Sequence, residues 1–283
     1  MDKWREHLNV RELRLINHIN NSTFDSVDYS ALTSFAIDDA LAISIGNSAS
    51  PTTIRLWVHD ETVVLGTPDS RTPFFDEGLD FLKSKNQHVV IRNSGGLAVA
   101  LDRGVLNLSL IMPNNNKLSI SRGYDIMTSL IQDLLKDYTQ QIKAYEIVGS
   151  YCPGDYDLSI NGIKFAGISQ RRVKNGVAIQ IYLDICGQSD FRANLIKEFY
   201  SISIKNRPTK LVYPSVNPAV MGSLSDILNT PITVKEIINR LEQLLENNQI
   251  LIRYNNLSNI ELTDFHKRLQ QMDKRNEKIN KRF

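Results

Sequence analysis

The chain has 283 residues, 42% hydrophobic and 23% charged, enough to bury a sizeable core as one catalytic domain with appendages. Its 33 basic and 31 acidic residues leave a net charge of +2, which gives no instruction towards nucleic acid; the basic surplus gathers in the closing HKRLQQMDKRNEKINKRF, where Asp273 and Glu277 interleave with the cations as on a solvated helix. The opening MDKWREHLNVRELR has no apolar signal core, no run approaches the ~18 apolar residues of a membrane span, and Cys152 and Cys186 cannot build a disulfide framework, so a reducing, cytoplasmic setting with no membrane partner is expected.

In chain order, residues 1–30 read as a polar leader. Asp28 to Ile45 has helical spacing, with Ser30 as cap, Leu32, Phe35, Ala36 and Leu41 as apolar stripe and Gly46-Asn47 as stop. Ile54–Val58 and Thr62–Leu65 read as paired strands joined around His59-Asp60-Glu61, with His59 on the hairpin. Phe75–Lys85 is a short helix, His88–Arg92 a strand, and Val105–Met112 a strand stopped by Pro113 and the turn Asn114-Asn115-Asn116. Ser121–Tyr138 is amphipathic through Ile126, Leu130, Leu134 and Leu135. Ala144–Val148 and Val177–Ile185 are strands, Asp190–Tyr200 a helix, Ser223–Asn229 a shorter one. Thr233 and Glu236 form a capping box for a helix to Asn248, and Leu262–Arg282 is a charged helix. The expected fold class is α+β: a largely antiparallel or mixed sheet with packed helices, a catalytic domain over 31–230 and a helical segment over 231–283 packed on it.

The densest chemistry lies in GSYCPGDYDLSINGIKFAGISQRR, residues 149–172. Tyr156 to Ile160 alternate as a short strand, and Asn161-Gly162 is a strong hairpin signal, so Ile163–Gly167 returns antiparallel. Lys164 then lies opposite the start of the first strand, close to the loop that holds Cys152. A thiol attacks as the thiolate, and a nearby ammonium favours that form. The pair reads as a nucleophile and its activator. Against this, a lone cysteine is ordinarily a small buried apolar group and a lone lysine a solvated one; Cys186, closing the alternating run before Gly187, fits that bland description. Scattered histidines and two separated cysteines have no metal-ligand spacing, so no metal is expected.

A second block runs Arg92-Asn-Ser-Gly95-Gly96-Leu-Ala-Val-Ala-Leu-Asp102. It lacks the lysine and serine or threonine of a phosphate loop, and no helix follows it directly. A double glycine lets backbone approach a ligand closely, or simply makes a tight turn. Together the two blocks resemble the biotin/lipoate protein ligase superfamily, most of all its octanoyl-[glycine cleavage H protein]:protein N-octanoyltransferases, the lipoyl amidotransferases. The resemblance covers roughly residues 30–230. In the superfamily's Arg-x-x-Gly-Gly-Gly-x-Val-x-His-Asp signature, Leu97 here replaces the third glycine and Leu101 the histidine, departures that fit the amidotransferases and speak against an ATP-using ligase.

The resemblance implies a catalytic Cys152 that carries an acyl thioester, with Lys164 lowering the thiol pKa and acting as general acid and base. It implies an acyl pocket walled by Ser94, Gly95, Gly96, Leu97, Ala98 and Val99, and by Ala166, Gly167 and Ser169 with Ile168, whose amides would be natural oxyanion donors. Arg92 would position either the block or a substrate, and Asp102 would either orient a partner or cap a turn. Arg171 and Arg172 would hold an acidic lipoyl-domain surface or serve no such role. The implied donor is an octanoylated glycine cleavage H protein, and the acceptors are lipoyl domains of 2-oxoacid dehydrogenase acyltransferase subunits, with neither ATP nor another cofactor. The rivals are an octanoyl-(acyl carrier protein):protein transferase, an ATP-dependent lipoate or biotin ligase, and a non-catalytic carrier-binding scaffold.

Overall fold

The structure is a computed structural model that describes residues 3–8, 10–114 and 118–282. Asn115 and Asn116 of the expected turn lie outside the described residues. Helix α1 (Lys3–Leu8) leads into strand β1 (Glu12–His18), a small hairpin β2 (Thr23–Phe24) and β3 (Val27–Asp28), and helix α2 (Ala31–Gly46). Then come β4 (Thr53–Trp57), β5 (Thr62–Leu65), α3 (Phe75–Ser84), β6 (His88–Ile91), β7 (Val99–Leu101), β8 (Val105–Pro113), α4 (Ile120–Leu134) and β9 (Lys143–Ala144). The chain continues through β10 (Leu158–Ile160), β11 (Ile163–Val173), β12 (Gly176–Asp184), α5 (Ser189–Ile204), α6 (Leu224–Ile227), α7 (Val234–Asn247), β13 (Leu251–Tyr254) and α8 (Asn259–Asn280).

The main sheet has eight strands in the order β13-β1-β4-β8-β12-β11-β10-β9. The β13, β1 and β4 pairings are parallel and the rest antiparallel, so the sheet is mixed, as expected from the sequence. Residues 1–30, read above as a leader, supply β1, and the 231–283 segment supplies α7, the edge strand β13 and α8. Strand β1 does not announce itself by clean alternation, because both its faces are covered, and β13 is a four-residue, largely exposed edge strand. Every residue of β12 is buried for the same reason: α2 covers one face, while α4 and α7 close a second core over Leu108, Leu110 and Ile179 on the other.

Four expectations change. β4 and β5 do not pair: β4 lies in the main sheet, whereas β5 is the middle of a second sheet ordered β6-β5-β7. His59, expected on a hairpin, is buried between the rings of Tyr29 and Trp57 and shares a 3.0 Å hydrogen bond with Ser34 Oγ. α2 is buried on every side rather than along one stripe. It places Asp38 and Asp39 inside the protein, where Arg55 and Arg171 pair with them at 2.7 and 2.9 Å. The C-terminal helix α8 is not merely solvated either. It packs on α2, and its buried Asn276 accepts from the Ile91 amide at 2.6 Å, tying it to the second sheet.

Candidate active site

Most of the candidate residues converge where the two sheets meet. The β10–β11 hairpin turns at Asn161 (φ +53°) and Gly162 (φ +80°), the two positive φ values that an Asn-Gly turn supplies readily. Just beyond it the register slips: Leu158 faces Ala166, yet Ser159 faces Lys164. Regular alternation would put Lys164 and Ala166 on one face. The bulge absorbs Phe165, which joins Ala166 in the core beneath the sheet, and Lys164 turns to the opposite face, towards the cysteine loop.

Lys164 is fully buried. Its Nζ donates to the carbonyls of Tyr151 and Cys152 at 2.9 and 3.0 Å and to Ser150 Oγ at 3.1 Å, and it pairs with Asp157 at 2.8 Å. Asp157 in turn winds the loop, accepting from the Ile147 and Gly154 amides at 3.3 and 3.2 Å. Burial pushes the Asp157 carboxyl up from its ordinary value, and the Lys164 charge opposes that shift. The loop so held presents Cys152 with φ +44°, a left-handed conformation uncommon outside glycine. Such outliers cluster at functional sites.

The sulfur has partners other than Lys164. The Leu97 amide donates to Sγ at 3.2 Å, and Arg92 Nη2 reaches it at 3.3 Å while also donating to the Leu97 carbonyl at 2.8 Å. The glycine block between β6 and β7 therefore folds over the thiol. A Cβ on Gly96 (φ +107°) would lie 2.1 Å from Arg92 Nη2 and 2.9 Å from Sγ, so this approach requires glycine. A guanidinium and an amide aimed at sulfur stabilise negative charge there, while Lys164 acts one step back, through the carbonyl of Cys152.

A cavity of about 270 Å³ opens from Cys152 between the two sheets. Phe35, Trp57, Val64, Val99, Leu101 and Ile181 make its wall largely apolar. Asn107, Gln180 and Ser169 add a few polar groups, the composition expected where an apolar ligand is bound and oriented. Trp57, Asn107, Tyr182 and Gly167 form a row of register partners across β4, β8, β12 and β11. Gly167 leaves room for the Tyr182 ring, which would stand 2.8 Å from a Cβ placed there. Gln180 is anchored from behind by Asp38 at 2.6 Å.

Of the residues singled out in the sequence, Cys152, Arg92, Gly95, Gly96, Val99, Gly167 and Ser169 line this cavity. Lys164 lies behind it. Ser94, Leu97, Ala98, Asp102 and Ala166 are not on its wall: Ala166 faces the far core, Ala98 contributes its amide elsewhere, and Leu97 offers its amide rather than its side chain. Asp102 caps a turn, accepting from Gly104 N at 2.8 Å, and pairs with Arg192. Arg171 and Arg172 are engaged internally, with Asp39 and with the Leu118 carbonyl. Sequence reading missed Phe35, Trp57, Asn107, Asp157, Gln180 and Tyr182. Asp157 alone carried a local signal, as the acidic residue closing Cys-Pro-Gly-Asp-Tyr-Asp. Among the described residues, no group of three or more His, Cys, Asp or Glu side chains is placed to hold a metal ion.

Residues 30–246 match the model of the lipoyl protein ligase A/B catalytic domain. The octanoyl-[GcvH]:protein N-octanoyltransferase of Oceanobacillus iheyensis is 52% identical over 277 residues, 98% of this chain and 99% of that one. The lipoyl-[GcvH]:protein N-lipoyltransferase of Listeria monocytogenes is 47% identical, across 92% of this chain and 94% of that one. Among solved structures, lipoate-protein ligase A bound with ATP superposes with a TM-score of 0.67 at 18% identity, covering 92% of this chain and 94% of that one; at this distance the likeness shows the fold alone.

Proposed function

The chain belongs to the lipoyl protein ligase A/B catalytic domain family, and we propose that it is an octanoyl amidotransferase: it moves an octanoyl group from a lysine of the glycine cleavage H protein to the lipoyl-domain lysine of 2-oxoacid dehydrogenase acyltransferase subunits. The observation that carries this reading is a half-buried thiol, gripped by Leu97 N and Arg92 at the wall of an apolar cavity. Relatives named for transfer from GcvH support it over most of their length.

Exchanging one lysine amide for another is close to thermoneutral, so the transfer needs no ATP and no metal. The obstacle is kinetic, because an amide is a poor electrophile and an amine a poor leaving group. A covalent intermediate divides that barrier. Cys152 Sγ attacks the octanoyl carbonyl; the C–S bond forms, the C–N bond breaks, and the H-protein lysine departs after taking a proton. The acceptor lysine then attacks the thioester, forming the new amide and returning the thiol. Asp157 lines the cavity and is paired with Lys164, so that pair gives the proton to the leaving amine and takes one from the incoming amine. While the octanoyl chain lies in the cavity, Phe35, Trp57, Val99 and Leu101 exclude water from the thioester.

The test is the intact mass of the protein after mixing with octanoylated H protein in the absence of ATP. An octanoyl adduct on wild type that is missing from Cys152→Ala supports the reading. An adduct formed only from octanoylated acyl carrier protein would move the donor to that thioester, and acylation of a lipoyl domain that requires ATP and survives Cys152→Ala would replace transfer with ligation.

A further inference from the structure

Beneath the glycine block sits a buried carboxylate that the chemistry above does not use. Asp69, in the short turn after β5, is wholly inaccessible to solvent. Its Oδ2 accepts from the Gly66 amide at 2.7 Å and its Oδ1 from the Tyr200 hydroxyl at 2.9 Å. The Tyr200 oxygen accepts in turn from the Ala98 amide at 3.2 Å. Gly66 meets the block from the other side, where a Cβ would stand 1.9 Å from the Gly96 carbonyl oxygen. Two consecutive amides therefore have fixed destinations: Ala98 N–H goes to the phenol, and Leu97 N–H goes to Cys152 Sγ.

We propose that Asp69 and Tyr200 are positioning residues for the nucleophile: they hold the glycine block so that the Leu97 amide and the Arg92 guanidinium reach Cys152 Sγ. The relay has a direction. A carboxylate at Asp69 only accepts, so the Tyr200 hydroxyl donates to it and leaves its oxygen free for Ala98. Burial raises the Asp69 carboxyl to about 6, and the Gly66 and Tyr200 hydrogen bonds and the Arg92 charge oppose the rise. The ring of Tyr200 packs against Phe199 and Tyr213 independently of its oxygen, so removing the hydroxyl leaves the packing in place. The inference rests on the reading of Cys152 as nucleophile, but its test needs no acyl donor.

In Tyr200→Phe, alkylation by iodoacetamide, followed by mass at the Cys152 peptide, is expected to slow about tenfold at pH 7, the worth of one hydrogen bond. Alkylation at the Cys186 peptide, which the glycine block does not reach, should match wild type in the same sample. In the transfer assay kcat should fall by a similar factor with the donor KM unchanged. Asp69→Asn, whose single amide oxygen cannot serve both donors, should show the same loss confined to Cys152. Wild-type alkylation at pH 7 in both variants overturns the proposal. A change in alkylation that is equal at Cys152 and Cys186, or that tracks a lost circular-dichroism signal, assigns the pair to folding only and overturns it as well. Slowed alkylation in a protein that acylates from no donor would sustain this inference and sink the proposed activity.

Discussion

Lys164→Ala separates the two tasks assigned to the buried lysine. The Lys164 and Asp157 side chains are 0% and 3% exposed, so truncation strands a carboxylate in a site with amide donors and no counter-charge. Breaking one side of a buried pair costs about 3–5 kcal/mol. A domain of ordinary stability holds about 5–15 kcal/mol, so the variant should fold at 25 °C while standing close to its limit. The loss has a recognisable pH signature. Burial already raises the folded Asp157 pKa, and without Lys164 the rise is greater. A group whose folded pKa exceeds its unfolded one binds more protons in the native state, so the variant should recover stability as pH falls towards the carboxylate range. Urea unfolding at pH 7.5 and at pH 5.5 measures this, and Asp157→Asn in the Lys164→Ala background should restore much of the stability at pH 7.5. Neither background should restore transfer, which should fall at least about a hundredfold with the acid–base group gone. Stability within 1 kcal/mol of wild type (roughly the scale of an exposed pair), together with a normal rate of thioester formation, would refute both the burial argument and the catalytic role.

Gly96→Ala drives a methyl into Arg92 Nη2 and Cys152 Sγ at a positive φ. The displaced charge-assisted contact is worth about 1.5–3 kcal/mol, ten- to a hundredfold in acyl-enzyme formation by rapid-mixing mass measurement, and an unaffected rate would show that the block does not touch the thiol during catalysis. Acid stability offers a further check. Burial holds Asp69 and Asp184 up to about 6 and pushes His18 and His59 down to about 3. Between pH 6 and 4 the native carboxylates take up protons before the unfolded ones do, which stabilises the fold; the unfolded histidines protonate while the native ones stay neutral, which destabilises it. The two pairs offset. Asp69→Asn removes one stabilising member, so over that window it should lose about 2 kcal/mol more than wild type, and parallel stability profiles would contradict the assignment. Trp57→Ala should enlarge the acyl cavity, raise KM for an octanoyl donor and leave alkylation of Cys152 unchanged; a loss of alkylation instead would place Trp57 in support of the thiol.

The residues that bring the site into being differ in how far the sequence exposes them. The Asn161-Gly162 hairpin, the amphipathic α4 and α7 and the cysteine-lysine pair are local, because turn chemistry and helical spacing act over a few residues. These features, with the glycine block, pointed to the mixed α+β sheet and the family, and singled out Cys152 as the candidate nucleophile. Tertiary structure decided what touches the sulfur. The bulge at Phe165 aims Lys164 at carbonyls and Asp157 rather than at Sγ, while the fold of the second sheet brings Arg92 and the Leu97 amide across to the thiol. Trp57, Asn107, Tyr182 and Gly167 become neighbours only by register across four strands. No window of sequence contains that row, since strand pairing joins residues by hydrogen bonds between distant segments. Helix α2 was legible from its cap and stop, though not its all-round burial, and strand β1 was not legible, because an element buried on both faces loses the polar face that periodicity requires.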